Sequence, residues 1–472
     1  MLFQQFSEES IQDFDMVIVG TGSGNMIPGR TTRNKTVAIV EKGVFGGTCS
    51  NVGCIPTKMF VHTADVAREF SHAGALSLTG ELQNVDWKDI QRRVFGERID
   101  PISKAGAEYR AGDKTPNITL FHGEAASFVA PRTLRIGDGP EAPIIRGKDV
   151  ILATGRRPWI HPVIKESGIR YRTNEDIMRL EKLPESLIIL GGGIVAVEFA
   201  AVFSAFGTKV TVVNRFERLL RMADHDISEA FTEQAKTQWT NHLGRTVEAA
   251  EETHDGRIKI TLDDGTQVEA DEILVALGRE NNSDTLNVEA GGVEVTARGT
   301  IVVDEYGRTT AEGVWALGDA ANEIELKHVA NHESRVVKHN IAFPDDLQKV
   351  NHRFIPGGIF THPQIGIVGM TEEEARLTGR PLTIKVQRYA DIAYGWAMED
   401  TTGFCKVIAD RSTGEILGAH IMGPEASTLI QSFVSAMSFG IHARDFAENQ
   451  FWPHPALTEL VENALLGLEF DA

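Results

Sequence analysis

Short apolar runs that close on glycines set the rhythm of this chain. Met16 to Val19 is one such run, and it enters the turn Gly20-Thr21-Gly22. A helical stretch and a second strand, Thr36 to Val40, are predicted to follow, the strand closing on Glu41. This is a strand-helix-strand unit of dinucleotide-binding size. The pattern returns at Leu187 to Leu190, which enters Gly191-Gly192-Gly193. A helix is predicted from Ile194 to about Phe206 with Gly207 as its cap, then a strand from Lys209 to Val213. Two such units imply two bound dinucleotides.

The run Val150 to Leu152 ends in Ala153-Thr154-Gly155, and a near-repeat occurs at Ile273 to Gly278. Alternation between His254 and Ala270 around Asp263-Asp264-Gly265 predicts a β-hairpin. Val314 to Asp319 reads as another strand closing on glycine and an acid. From about Asn351 the texture changes. Strands at Thr383 to Val386 and Cys405 to Ile408 mix with helices at Thr371 to Leu377 and Ala426 to Phe439. The fold class is therefore α/β: two dinucleotide-binding, Rossmann-like domains and a C-terminal α+β domain.

Length and charge narrow the function. A chain of 472 residues suggests about three domains. Its formal net charge of -19 disfavours nucleic acid and anionic membranes, which require a basic face. Met1 to Phe14 carries Glu8, Glu9 and Asp13, no basic residue and no apolar core, so it does not read as a secretory signal. No run reaches the roughly 20 apolar residues of a membrane span. Only Cys49, Cys54 and Cys405 are present. That usage points to a soluble, reducing, cytoplasmic setting, where a close cysteine pair is more often catalytic than structural.

The candidate chemistry centres on Cys49-Ser50-Asn51-Val52-Gly53-Cys54-Ile55-Pro56-Thr57-Lys58. Five residues apart, the cysteines reach disulfide range if Gly53 and Pro56 bend the helix. A dithiol beside a dinucleotide site suggests electrons passing from nicotinamide to flavin to disulfide; a structural disulfide is the competing reading. Gly20 and Gly22 allow a tight turn and close approach to a pyrophosphate, with Gly24 present and Asn25 in the usual third-glycine position. Glu41, about 20 residues on, is placed to hydrogen-bond ribose hydroxyls, unless it is only a solvated strand end. Gly191, Gly193 and Ala196 form the second fingerprint. Its strand closes on Asn214-Arg215 rather than on an acid, with Arg218 and Arg221 following. Arginines suit the 2′-phosphate of NADPH, so Arg215 and Arg221 are the expected contacts, surface charge being the other reading. Lys58, one turn beyond Cys54, can place positive charge by the flavin and favour a thiolate, with Glu198 as candidate partner beside the cofactor; an acid near a helix N-terminus is the other reading of Glu198. Cys405, within an alternating strand, is expected to be buried and inert. No metal site is expected. Tyr394 and Trp396 could pack on a sugar-like thiol or belong to a core.

These segments resemble the flavoprotein pyridine nucleotide–disulfide oxidoreductases from Asp15 to Leu468. The run Gly46-Gly47-Thr48-Cys49-Ser50-Asn51-Val52-Gly53-Cys54-Ile55-Pro56-Thr57-Lys58 is its most specific part. The resemblance implies FAD in a domain formed by 1–157 and completed by 281–350, NADPH in 158–280, and dimerisation through 351–472. It implies that Gly47, Thr48, Thr154, Gly155, Gly318 and Asp319 serve FAD, Asp319 on the ribitol and pyrophosphate side, and that Gly278 lies at the nucleotide turn. It also implies that Cys54 lies nearer the flavin and that Cys49 attacks a low-molecular-weight disulfide. His454, before a cis Pro455, would protonate the leaving thiol with Glu459 orienting it, both acting in the other subunit of a homodimer. An NAD-dependent dihydrolipoamide dehydrogenase would share the dithiol and the His–Glu pair; Asn214-Arg215 argues against it. Glu469 to Ala472 lacks the second redox pair of mercuric and large thioredoxin reductases. A non-catalytic redox sensor would leave these catalytic residues unused.

Overall fold

The computed structural model describes residues 10–471, so most of the expected acidic extension, residues 1–9, lies outside the described residues. The described chain forms two compact units. The first comprises residues up to Thr57, Asp89–Trp159 and Arg279–Asn351. Its seven-stranded sheet runs in the order Ile118–His122, Val37–Glu41, Ile11–Val19, Ile144–Leu152, Thr133–Ile136, Ala126–Ala130, with Val314–Ala316 also on Ile144–Leu152. The central pairs are parallel, Val17 facing Ala38 and Val150. Alternate residues serve opposite faces: Val17, Val19, Val40 and Leu152 enter one core cluster, Met16, Ile18, Ile39 and Ile151 another. Burial on both faces is why these strands read as continuous apolar runs.

The helix expected after the first glycine turn does not form. Only two short 3-10 turns occupy that stretch, Gly24–Met26 and Arg30–Thr32. Pro28 has no amide hydrogen to continue a ladder, and Gly29 is extended. The helix Lys327–Ala342 packs there instead: Ser334 Oγ donates to Ser23 O at 2.9 Å and Lys327 Nζ to Ser23 Oγ at 2.9 Å.

The second unit comprises Lys58–Lys88, Ile160–Gly278 and the described residues from His352 onward. A parallel sheet orders Thr240–Leu243, Lys209–Asn214, Ser186–Leu190 and Glu272–Val275. The helix Ile194–Ala205 follows the glycine turn as expected, and Gly207 beyond it takes φ +90. It is apolar almost all round and buried from Ala196 to Phe203. The expected hairpin is Ile258–Leu262 with Gln267–Ala270. A five-stranded antiparallel sheet follows in the order Gly357–Ile359, Ile365–Gly369, Ile416–Met422, Phe404–Asp410, Leu382–Arg388. Helices Ala426–Ser438 and Glu459–Leu466 contribute to its core through Phe433, Leu460 and Val461. Thr371 caps the helix Glu372–Leu377 in a reciprocal box with Glu374, so the helix starts one residue later than expected.

The helix Cys54–His72 is tied to this unit by Arg68. Its guanidinium bonds to Ala201 O and donates to Gln238 Oε1 at 2.7 Å, and Gln238 Nε2 donates to His362 O at 2.6 Å. The His362 ring lies 5.0 Å from the His72 ring. Burial, with Arg68 and His72 adding, pushes the His362 imidazole from 6.5 down to about 4. As pH falls through about 6.5 the unfolded chain takes up this proton, while the folded chain resists until about 4. This group's contribution, up to about 3 kcal/mol, is therefore present above pH 6.5 and lost between 6.5 and 4. Denaturant unfolding of wild type and His362→Gln across that window should show the stability difference changing with pH. A constant difference would contradict the burial argument.

Candidate active site

The dithiol segment is a broken helix. A short helix Gly47–Asn51 stops at Val52, and the longer helix starts at Cys54. Gly46 is left-handed at φ +111, and Gly47 at φ +71 approaches the first glycine turn so closely that a Cβ would fall 2.6 Å from Gly22 Cα. Asn51 is buried and its amide donates to Phe45 O and Gly47 O at 3.0 and 3.1 Å, pinning the loop from inside. The Cys49 and Cys54 thiols are in hydrogen-bonding contact. That contact first, then burial, raises the Cys49 thiol far above its usual range, while the Lys327 charge opposes the shift. Cys405, by contrast, is buried in the strand Phe404–Asp410, and burial alone holds its thiol neutral.

The residues expected to hold FAD form a backbone cradle in the first unit. Gly20 has φ +99, and a Cβ there would lie 2.3 Å from Ala153 O. Gly24 is a packing glycine, its Cβ position 2.9 Å from Ala153 Cβ. Glu41 is fixed at the strand end: Oε2 accepts from Thr21 N and Oγ1 at 2.9 and 2.6 Å, and Oε1 from Gly43 N at 2.8 Å. Thr21 Oγ1 also accepts from Gly46 N at 2.8 Å, joining the glycine turn to the Gly47-Thr48 loop. Gly155 has φ +62 with open space where a side chain would be. The adjacent Thr154 Oγ1 is buried without a hydrogen-bond partner among the described residues. An orphaned hydroxyl in a glycine-lined cradle fits a polar cofactor such as FAD.

Several residues here escaped sequence reasoning. Gly318 N donates to the buried Glu333 carboxylate at 2.6 Å. Asp319 Oδ2 pairs with Arg279 at 2.7 Å, and Asn282 Nδ2 donates to Thr154 O at 2.8 Å. Lys327 and Glu333 fall in one chemically dense segment, Lys327-His328-Val329-Ala330-Asn331-His332-Glu333, which was the available signal. Arg279 and Asn282 carried none.

The second glycine turn, expected to hold another dinucleotide, is an open backbone turn. Gly191 has φ +122, with a Cβ position 2.3 Å from Ala276 O. Gly193, which caps the helix Ile194–Ala205 without a side-chain bond, and Gly278 both face open space. Uncapped amides at a helix start suit a pyrophosphate. Ala196 is buried and serves packing. Asn214 is buried too, and its amide donates to Phe216 O and Arg218 O at 3.0 and 3.1 Å, so it shapes the loop. Arg215 and Arg221 lie over the Phe216 ring, 4.7 and 4.1 Å from its centre, and both are exposed.

Lys58 does pair with Glu198. Its Nζ is 2.7 Å from both carboxylate oxygens, and Phe360 N donates to Glu198 Oε1 at 3.0 Å. His454 precedes a cis Pro455, and its Nδ1 is hydrogen-bonded to Glu459 Oε1. That bond leaves Nε2 as the nitrogen available for proton transfer. Glu459 opens the helix Glu459–Leu466, and its Oε2 is buried without a hydrogen-bond partner among the described residues. Tyr394 and Trp396 are exposed, 44% and 64%, so neither belongs to the core of the chain.

A redox dithiol, two dinucleotide cradles and a His–Glu pair define the class. The chain belongs to the pyridine nucleotide-disulphide oxidoreductases, whose family model matches residues 14–334, with the family's dimerisation domain at 355–465. Its cofactors are FAD and NADPH. The chain is 47% identical to mycothione reductase of Mycobacterium tuberculosis over 97% of its own length and all of that protein. It is 31% identical to dihydrolipoyl dehydrogenase of Rhizobium etli, covering 96% of this chain and 98% of that one. Among solved structures it is similar to the HOCl-induced flavoprotein disulfide reductase RclA from Escherichia coli, with TM-score 0.84, 27% identity, and coverage of 96% and 99%.

Lys58→Met should cost about 2 kcal/mol in denaturant unfolding, because it strands the Glu198 carboxylate, whose side chain is only 6% exposed. Glu198→Gln added to it should restore most of that loss. Equal stability of wild type and Lys58→Met would contradict the pairing.

Proposed function

We propose that this enzyme is an NADPH-dependent reductase of mycothione, the disulfide of mycothiol. Two observations support the reading: the arginine-flanked second nucleotide turn, and the 47% identity to a mycothione reductase over nearly the whole chain. We assign FAD to the first unit, with contacts from Gly20, Gly22, Glu41, Gly47, Thr48, Thr154, Gly155, Gly318 and Asp319. NADPH goes to the 158–280 segment, with Gly191, Gly193, Gly278, Arg215 and Arg221. Bound FAD would supply the two-electron relay between nicotinamide and dithiol.

The protein's own part is thiol–disulfide exchange and proton management. The Cys49 thiolate attacks one sulfur of the substrate disulfide; a mixed disulfide forms and one thiolate leaves. His454, its Nδ1–H held by Glu459, gives the leaving thiolate a proton from Nε2. The Cys54 thiolate then attacks the Cys49 sulfur, closing the Cys49–Cys54 disulfide and releasing the second substrate thiolate. Two electrons enter the substrate and two leave the dithiol. Since Cys49 is otherwise held neutral, the Lys327 charge favours the thiolate it must become. We place His454 and Glu459 at the site of the partner subunit in a homodimer, consistent with the dimerisation domain at 355–465. Among the described residues no helix is long and apolar enough to cross a membrane, and we propose a cytoplasmic location.

Nucleotide consumption by the FAD-loaded protein, measured in parallel with mycothiol disulfide, lipoamide and glutathione disulfide, tests the assignment. Fast turnover is expected with mycothiol disulfide and NADPH. Preference for lipoamide with NAD would instead favour a dihydrolipoamide dehydrogenase. Arg215→Glu should raise the KM for NADPH about tenfold or more and leave NADH little changed. An unchanged KM for NADPH would remove Arg215 from the site.

A further inference from the structure

Lys406 is only 1% exposed, in the middle of the strand Phe404–Asp410, and none of the chemistry above uses it. Its Nζ lies 2.8 Å from Asp224 Oδ1, 2.7 Å from Asp226 Oδ2 and 2.7 Å from Glu372 Oε2. Burial works against its charge, yet the bonds to these carboxylates hold its pKa above the usual lysine range. His420 lies beside the cluster; burial favours its neutral form, and its Nε2 bonds to Met370 O at 2.9 Å. Asp224 is completely buried and clamped from several sides. Besides Lys406, its Oδ1 accepts from Asp226 N at 3.1 Å, capping the helix His225–Ala235, and its Oδ2 accepts from Glu372 N at 2.9 Å.

Asp224 ends the loop that carries Arg215, Arg218 and Arg221. The loop's start is held by the Asn214 amide. Its middle is held where Leu220 N donates to Gly192 O at 2.7 Å and Ser228 Oγ to Leu219 O at 2.7 Å. Leu220 sits at φ +52, a left-handed backbone that a leucine keeps only when its neighbours are fixed. At the far end, Lys406 ties Asp224 to the five-stranded sheet, beside the backbone bond from Glu372 N. We propose that Lys406 is a positioning residue for nucleotide selectivity: through Asp224 it fixes the far end of the arginine loop, so that Arg215 and Arg221 are pre-set for a 2′-phosphate. The proposal rests on the NADPH reading of those arginines. A cluster that only cemented the fold would affect NADPH and NADH alike.

The test is steady-state kinetics of the FAD-loaded full chain with each nucleotide, with flavin content and melting temperature recorded. Lys406→Met should raise the KM for NADPH about tenfold while kcat and the KM for NADH stay within about twofold. In an Arg215→Ala/Arg221→Ala background, adding Lys406→Met should leave the NADPH-to-NADH ratio unchanged, because the groups it positions are gone. An equal rise for both nucleotides, or no change in the ratio, overturns the proposal. If the arginine double variant itself keeps the wild-type preference for NADPH, the reading of the arginines fails, and the proposal with it. If Lys406→Met does not load with flavin, Glu372→Gln, which keeps Lys406 paired with two carboxylates, should shift the same ratio about threefold. An unchanged ratio in that variant overturns the proposal equally.

Discussion

The approach of Gly47 to Gly22 is the constraint on which the redox centre depends. A Cβ on Gly47 would sit 2.6 Å from Gly22 Cα, so the dithiol loop and the first glycine turn meet backbone to backbone. Thr21 reinforces the junction, accepting from Gly46 N and donating to Glu41. One small region thereby fixes Glu41, the first glycine turn and the start of the cysteine helix together. The break after Asn51 then lets the thiols meet, which a continuous helix would not allow at a spacing of five residues. Their contact makes Cys49 hard to ionise, and that links the dithiol's reactivity to the positive charge of Lys327.

The second unit solves a different problem. Its nucleotide helix is apolar almost all round, so the unit can bury it completely and present only its first turn. Glu198 is the polar exception, with an ammonium and a backbone amide as partners. Arg68 ties the same helix to Cys54–His72 a few turns further along. The helix that starts at Cys54 is thus joined at two levels to the helix that starts at the second glycine turn. Elsewhere in the same unit, buried charge around Lys406 fixes the loop that carries the arginines.

What was legible in the sequence follows the range of the forces involved. Strands buried on both faces announce themselves as apolar runs, and glycines with positive φ mark both turns. The partnership of Lys58 and Glu198 was accessible because helical spacing put Lys58 one turn past Cys54. The helix after the first glycine turn was misread because Pro28 and Gly29 interrupt a pattern that otherwise favours helix. The His454–Glu459 pair came from the family resemblance and not from spacing, since His454 lies in the loop before the helix and not on it. Arg279 with Asp319 and Asn282 with Thr154 join segments far apart in the chain, so no local pattern encodes them.

Electron flow into the dithiol is the core of this enzyme's chemistry, and an anaerobic NADPH titration of the FAD-loaded, oxidised protein followed by alkylation mapping reads it most directly. Two newly alkylated thiols per chain, at Cys49 and Cys54, with Cys405 unlabelled until the protein is unfolded, are the predicted result. Bleaching of the flavin without new thiols at those two positions would contradict it.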